Sequence, residues 1–119
     1  MDEIKENEFV RTKDGIIDKI FKFDEILNEY WCEKGLVIDP ENKIGTHLKD
    51  IVNHSFNIID LIEVGDIVFI EDFFGYNFIH VFDESMLEAL KKDVKDGIKI
   101  KTILTHEQYE RNCYRLENN

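Results

Sequence analysis

The chain has 119 residues, of which 26 are acidic and 15 are Lys or Arg, so its formal net charge is -11. Hydrophobic residues make up 43% of it, which is enough to form a folded core in one domain covering residues 1–119. A surface this negative repels nucleic acids and anionic membranes, so we expect neither as a partner, and it attracts basic protein surfaces.

The N-terminal third has the pattern of antiparallel strands. Residues 8–12 and 16–23 lie on either side of Lys13-Asp14-Gly15, and Asp-Gly supplies the positive φ angles of a tight hairpin turn. Residues 28–38 form a further extended stretch that breaks near Gly35. We therefore predict a hairpin followed by more strand.

The middle of the chain combines turns, strands and one ambiguous segment. Pro40 fixes φ in a predicted turn over residues 39–42. Residues 44–62 mix helical spacing with a run of β-branched residues, so we interpret them as a short helical or irregular segment. Strands are predicted over residues 67–70 and 76–82, and we expect most aromatic side chains of this region in the core rather than at an interface.

The C-terminal third contains the clearest helix, over residues 84–95. Asp83 or Ser85 can cap its start, and Ser85-x-x-Glu88 has capping-box spacing. Lysines crowd its last turn, and Gly97 ends it. Residues 98–104 alternate as a half-solvated strand. A second capping box opens a short helix over residues 105–111, and residues 113–116 form a last predicted strand.

These elements together predict a small α+β domain. Strands dominate and their connections are short, which favours a mainly antiparallel sheet. We expect about six strands in a curled sheet or open barrel, with one helix at 84–95 and a short helix at 105–111.

An acidic segment runs from Asp50 to Leu90 and contains nine carboxylates but no Lys or Arg. Within it, Phe73 and Phe74 precede Gly75 in a predicted loop, and apolar side chains in acidic surroundings suit a protein interface. The candidate partner-binding residues are Glu63, Asp66, Glu71, Asp72, Phe73, Phe74, Asp83, Glu84 and Glu88.

Catalytic and metal-binding alternatives have weaker support in the sequence. The pairs Glu71-Asp72 and Asp83-Glu84 flank a predicted hairpin and could meet at one end of the sheet, where they would bind Mg²⁺ or Ca²⁺ or act as an acid–base pair. No calcium-loop motif, no zinc-binding spacing among the four histidines and no phosphate-binding glycine pattern accompanies them. We predict no enzymatic activity, no catalytic residue, no metal and no cofactor.

The N-terminus and the two cysteines bear on the cellular compartment. No secretory signal begins the sequence, and no apolar run reaches the roughly 18 residues that cross a bilayer. Cys32 and Cys113 fit no metal or redox spacing, so we expect two reduced thiols in a cytoplasmic protein. A disulfide between them would need an oxidising compartment.

Three segments resemble a recurring pattern in uncharacterised bacteriophage and prophage proteins. They are residues 9–17 (Phe-Val-Arg-Thr-Lys-Asp-Gly-Ile-Ile), residues 54–68 (His-Ser-Phe-Asn-Ile-Ile-Asp-Leu-Ile-Glu-Val-Gly-Asp-Ile-Val) and residues 105–110, the last followed by a short strand with Tyr114. The resemblance implies an α+β fold and an accessory gene of phage origin acting in a bacterial host cell, and it carries no activity. Residues 83–97 depart from the pattern as an inserted helix.

The leading hypothesis is a non-enzymatic protein-binding module whose acidic face meets a basic protein surface. Its narrower form is an anti-CRISPR-like inhibitor of a host defence nuclease, in which carboxylates replace nucleic-acid phosphates in a channel rich in Lys and Arg. Two alternatives stay open: a virion assembly component, and a protein that binds a signalling nucleotide. The second would need basic side chains to converge on a cavity, and the candidates are Lys99, Lys101, Arg111 or Arg115. The sequence leaves the oligomeric state open.

Overall fold

A computed structural model of the chain describes residues 3–41 and 45–112. It separates into two compact units, Met1–Leu61 and Ile62–Asn119, and each contains its own β-sheet. The single domain expected over residues 1–119 stays a prediction. In the described ranges, no helix is both long and apolar enough to cross a lipid bilayer.

The first unit contains a six-stranded sheet. Its strands are β1 (Phe9–Thr12), β2 (Ile17–Asp24), β3 (Glu29–Cys32), β4 (Val37–Asp39), β5 (Thr46–His47) and β6 (Ile51–Ser55). They lie in the order β5-β4-β3-β2-β1-β6, and every neighbouring pair is antiparallel except β4 and β5. Two 3-10 helices, Leu48–Asp50 and Ile58–Leu61, flank β6.

Small aliphatic side chains fill the interior of this unit. The buried cluster comprises Ile4, Val10, Ile20, Cys32, Ile38 and Ile51. Burial raises the pKa of the Cys32 thiol to about 12, and the nearby carboxylate of Asp18 adds to that shift. Cys32 is therefore a neutral core side chain at physiological pH. Cys113 lies outside the described residues, and so does the predicted strand over residues 113–116.

The interior of the first unit also contains charged side chains, each held by hydrogen bonds. The Asp18 carboxylate accepts the backbone N–H groups of Lys34 and Leu36, at 2.9 Å and 3.2 Å. The fully buried Arg11 donates from Nη1 to the carbonyl of Leu61 at 2.8 Å. Such groups are tolerated inside a protein because their hydrogen bonds replace those lost from water.

The second unit contains a three-stranded antiparallel sheet in the order β8-β7-β9. Its strands are β7 (Ile67–Asp72), β8 (Gly75–His80) and β9 (Lys99–Leu104). Phe73 and Phe74 form the turn of the β7–β8 hairpin. Ile67 pairs with His80 at the base of this hairpin, and Asp72 pairs with Gly75 at its tip.

Two helices belong to the second unit, α1 (Glu84–Lys95) and α2 (His106–Asn112). The Asp83 carboxylate caps α1 by accepting the N–H of Met86 at 2.9 Å. This hydrogen bond lowers the pKa of Asp83, and a hydrogen bond from the Ser85 hydroxyl lowers it further. Leu87 and Leu90 are the buried side chains of α1. Gly97, at φ 112°, follows the helix as its predicted terminator.

The α+β fold class is confirmed, and so are the helix at 84–95 and a short helix within one residue of 105–111. The strands differ from the expectation in their arrangement. Nine strands lie in two sheets among the described residues, and they are not closed into a barrel. The ambiguous segment 44–62 contains β6, which pairs with β1. Of the residues with helical spacing, Leu48 begins the 3-10 helix Leu48–Asp50, whereas Ile51 and Val52 belong to β6.

Candidate protein-binding surface

The tip of the β7–β8 hairpin presents two phenyl rings to solvent. Phe73 is 95% exposed and Phe74 is 93% exposed, and their rings meet edge to face with centroids 5.6 Å apart. The Asp72 carboxylate accepts the N–H of Phe74 at 2.8 Å, and Gly75 adopts a φ of 111° that other residues rarely adopt. The turn is thus fixed by its two flanking residues, while the rings bury almost none of their own surface.

One face of the same hairpin is also aromatic. Cross-strand partners lie on the same face of a sheet, so Phe69 and its partner Phe78 share a side with Tyr76. Their exposures are 39% for Phe69, 60% for Phe78 and 79% for Tyr76. The Phe69 and Phe78 rings lie 6.1 Å apart, in a shallow groove of about 550 Å³ that Lys101 also lines. We call Phe69, Tyr76 and Phe78 the aromatic face. We call Glu71 to Gly75, together with Asp96 and Lys99 of the adjoining cleft, the hairpin tip.

The expectation that these aromatic side chains fill the core is wrong. The interior positions of β7 are taken by Val68 and Ile70, which are 0% and 3% exposed, so Phe69 between them points outward. Phe82, after β8, is 68% exposed and stacks on His80 with ring centroids 4.1 Å apart. The available signal was the alternation of Val68, Phe69 and Ile70, because neighbouring residues of a strand point to opposite faces of the sheet.

The predicted carboxylates divide into two groups. Glu71 and Asp72 lie at the hairpin tip, where a cleft of about 430 Å³ also includes Asp96 and Lys99. Glu71 forms an ion pair with Lys101 at 3.3 Å. Asp83 and Glu84 lie beyond the base, because Val81 still pairs with Asp66 there. The expectation that Glu71-Asp72 and Asp83-Glu84 meet at one end of the sheet is therefore wrong, since the hairpin register separates them.

The remaining candidate residues have mixed roles. Asp66 is 0% exposed, so its carboxylate stabilises the fold and is not available to a partner. Glu63 lies beside His106, with 3.0 Å between Glu63 Oε1 and His106 Nε2. Glu84 and Glu88 are exposed on α1. Of the nine predicted residues, the structure brings four together at one end of the hairpin: Glu71, Asp72, Phe73 and Phe74.

Sequence reasoning missed two features of this unit. The outward orientation of Phe69, Tyr76 and Phe78 is one of them. The other is the approach of His106 to Glu63, which lies 43 positions earlier in the chain. The fold creates that contact by pairing Ile67 with Leu104, which places the residues before β7 beside those after β9.

Comparisons of this chain with protein-family models, with curated proteins and with solved structures find no match.

Proposed function

We propose that this chain is a non-enzymatic protein-binding module, and that its contact surface consists of the hairpin tip and the aromatic face. The observation that carries the proposal is the exposure of five aromatic rings on one hairpin: Phe69, Phe73, Phe74, Tyr76 and Phe78. Apolar patches of this kind are uncommon on isolated soluble domains and are characteristic of interaction sites. Aromatic side chains also dominate the energetic centres of protein interfaces.

The partner that fits this surface is a protein segment with an apolar centre and a cationic surround. Residues 62–112 contain eleven carboxylates and six Lys or Arg side chains. At the hairpin tip, Glu71, Asp72 and Asp96 outnumber the neighbouring lysines. An excess of negative charge around an apolar centre raises the rate of encounter with basic partners and repels acidic ones.

The narrower hypothesis of a phage inhibitor that fills a host nuclease channel has less support. Asp66 is buried, Asp83 caps a helix and Glu63 contacts His106, so several of the candidate carboxylates have other structural roles. The nucleotide-binding alternative also lacks support, because Lys99 and Lys101 lie beside carboxylates that repel an anion. Arg115 lies outside the described residues.

A random peptide display library tests the proposal through binding chemistry alone, whatever the natural partner is. Peptides are selected on the immobilised wild-type chain and then measured against the F73S/F74S variant. We expect selected peptides to combine Lys or Arg with at least one large apolar residue, and their affinity to fall at least tenfold for the variant. Peptides that lack net positive charge, or that bind F73S/F74S equally well, would contradict the proposal.

A pair of charge-matched variants then tests whether the acidic surround acts locally. E71K/D96K changes the charge at the hairpin tip by +4, and E84K/E88K makes the same change on α1. We expect only the first to weaken the selected peptides, with a loss that shrinks as salt concentration rises. Sedimentation of the wild-type chain adds a further check. Dimers that F73S/F74S converts to monomers would assign the surface to self-association, as the virion-assembly alternative requires, and would overturn the basic-partner proposal.

A further inference from the structure

We propose that Glu63, His106 and Glu107 form a binding site for a divalent transition-metal ion of the Zn²⁺ type. His106 Nε2 lies 3.0 Å from Glu63 Oε1 and 3.5 Å from Glu107 Oε2. One ligand atom from each of the three side chains lies within 4.8 Å of the other two. The site is at the base of the β7–β8 hairpin, at the opposite end from the tip, and it does not depend on the proposed docking surface.

The separations match the edges of a metal coordination polyhedron. Nitrogen and oxygen ligands bind Zn²⁺ at about 2.0–2.2 Å. Two such ligands at tetrahedral or octahedral angles are therefore about 3.0–3.5 Å apart. His106 Nε2 already lies at these distances from the two carboxylate oxygens, and the two oxygens lie within 4.8 Å of each other. Small rotations of the glutamate side chains would bring all three around one ion.

The backbone segments that carry the ligands are held together by a buried carboxylate. Asp66, which is 0% exposed, accepts the N–H of Glu63 through Oδ2 and the N–H of His106 through Oδ1, both at 2.9 Å. A single side chain thus fixes the distance between the turn before β7 and the start of α2. These hydrogen bonds hold the backbone positions from which the Glu63 and His106 side chains extend.

Gly65 allows the histidine to approach this closely. A Cβ atom at residue 65 would lie 3.1 Å from Cβ of His106 and 3.3 Å from its Cγ, and Gly65 adopts a φ of 103°. A side chain at residue 65 would therefore require His106 to shift by a few tenths of an ångström. Two features distinguish this cluster from a chance contact between surface charges. Gly65 lies next to the imidazole ring, and the buried Asp66 is hydrogen-bonded to the backbones of both Glu63 and His106.

The mixed donor set selects the class of ion. An imidazole nitrogen with two carboxylates suits zinc and its neighbours in the first transition series, whereas Mg²⁺ and Ca²⁺ prefer oxygen ligands alone. Three protein ligands leave at least one position open for water or for a donor from another molecule. The side chains are between 23% and 40% exposed, so the ion has access from solvent.

Metal coordination by His106 requires a change at its Nε2 atom. A carboxylate accepts hydrogen bonds, so the 3.0 Å bond between Nε2 and Glu63 places a hydrogen on Nε2 in the metal-free protein. Coordination uses the Nε2 lone pair, so that hydrogen must leave Nε2 when the ion binds.

Calorimetric titration of the full chain with ZnCl₂ provides the test. We expect one ion per chain, and at least a tenfold loss of affinity in H106Q and in E63Q. H80Q removes another histidine of the same unit, outside the cluster, and should bind as the wild type does. MgCl₂ at the same concentration should give no comparable binding. Mg²⁺ binding as tight as that of Zn²⁺, or equal Zn²⁺ affinity in H106Q and the wild type, would overturn the proposal.

Two spectroscopic measurements on the wild-type chain keep the test independent of how the variants fold. Long-range proton–nitrogen NMR spectra should show the His106 ring nitrogens shifting when Zn²⁺ is added, with smaller changes at His47, His54 and His80. The Co²⁺ complex should show ligand-field absorption without a thiolate charge-transfer band. A thiolate band, or shifts at other histidines alone, would place the ion elsewhere and overturn the assignment.

Discussion

The six-stranded sheet is distinguished by buried charged side chains, and the three-stranded sheet by exposed aromatic ones. In the six-stranded sheet of the first unit, Asp18 is 4% exposed and Arg11 is fully buried. In the three-stranded sheet of the second unit, Phe78 and Tyr76 are largely exposed on one side. The first sheet thus takes charged groups into the interior, whereas the second leaves aromatic rings in water.

This difference separates side chains that stabilise the fold from those available for binding. A buried carboxylate contributes to stability only if its hydrogen bonds are made, and the removal of such a group leaves backbone donors without acceptors. An exposed ring has little effect on folding because it buries almost no surface. The same ring gains its full burial energy when a partner covers it. The two sheets therefore predict opposite responses to mutation.

The largest expected effect is on the first unit, from Asp18→Ala. The Asp18 carboxylate accepts backbone N–H groups from Lys19, Lys34 and Leu36 at distances between 2.8 Å and 3.2 Å. An unsatisfied buried donor costs roughly 1–3 kcal/mol, so we expect the free energy of unfolding to fall by about 3 kcal/mol. Urea denaturation followed by circular dichroism measures the change.

A matched control removes an acid that faces solvent in the same sheet. Glu25→Ala deletes an exposed carboxylate from the β2–β3 turn and should change stability by less than about 0.5 kcal/mol. Equal losses in D18A and E25A would mean that net charge, rather than the buried hydrogen bonds, determines the stability of this unit.

Local sequence patterns predicted the helices and strands better than they predicted which strands pair with each other. The Asp-Gly turn predicted the β1–β2 hairpin, and the capping residues around Asp83 predicted α1. Both elements depend on contacts between residues a few positions apart in the sequence. The pairing of β6 with β1 joins residues about 40 positions apart, and no local spacing specifies it. The division into two sheets depends on such long-range pairings, so the expectation of one curled sheet did not anticipate it.

The candidate protein-binding surface was also predictable only where it depends on local sequence. Phe73 and Phe74 were identified because a turn is a local feature, and the structure exposes both. The acidic residues were grouped by their nearness in the sequence, although the hairpin register carries Asp83 away from Glu71. The contact between Glu63 and His106 exists only because β7 pairs with β9. Charge composition identifies the character of a surface, and strand register determines which charges meet.

An intermediate effect is expected at Asp83, and it depends on pH. Hydrogen bonds from the Met86 N–H and the Ser85 hydroxyl lower the pKa of Asp83 in the folded state. The stabilisation from the ionised cap is present above the unfolded-state pKa of about 4, and it is lost as the pH falls through the lower folded-state value. D83S keeps a capping oxygen but has no carboxylate to titrate.

Urea titrations at pH 6 and at pH 3 compare the wild type with D83S. We expect the wild type to lose more stability than D83S between these two values, because only the wild type protonates its cap. The same pH dependence in both proteins would show that the ionisation of Asp83 does not stabilise α1. The helix of the second unit would then be insensitive to this surface charge, just as we expect the sheet of that unit to be insensitive to the loss of surface aromatic side chains.

We expect F73S/F74S to have the smallest effect on stability, in contrast to the large effect expected for D18A. Both rings are over 90% exposed, so their loss should change the free energy of unfolding by less than about 0.5 kcal/mol. The Asp72 carboxylate still accepts the backbone N–H of residue 74, which keeps the turn. The urea denaturation curve of this variant should overlay that of the wild type. The peptides selected on the wild type should nevertheless no longer bind to it. A loss of about 2 kcal/mol or more would mean that the rings stabilise the chain itself, and the distinction between a stabilising sheet and a binding sheet would fail.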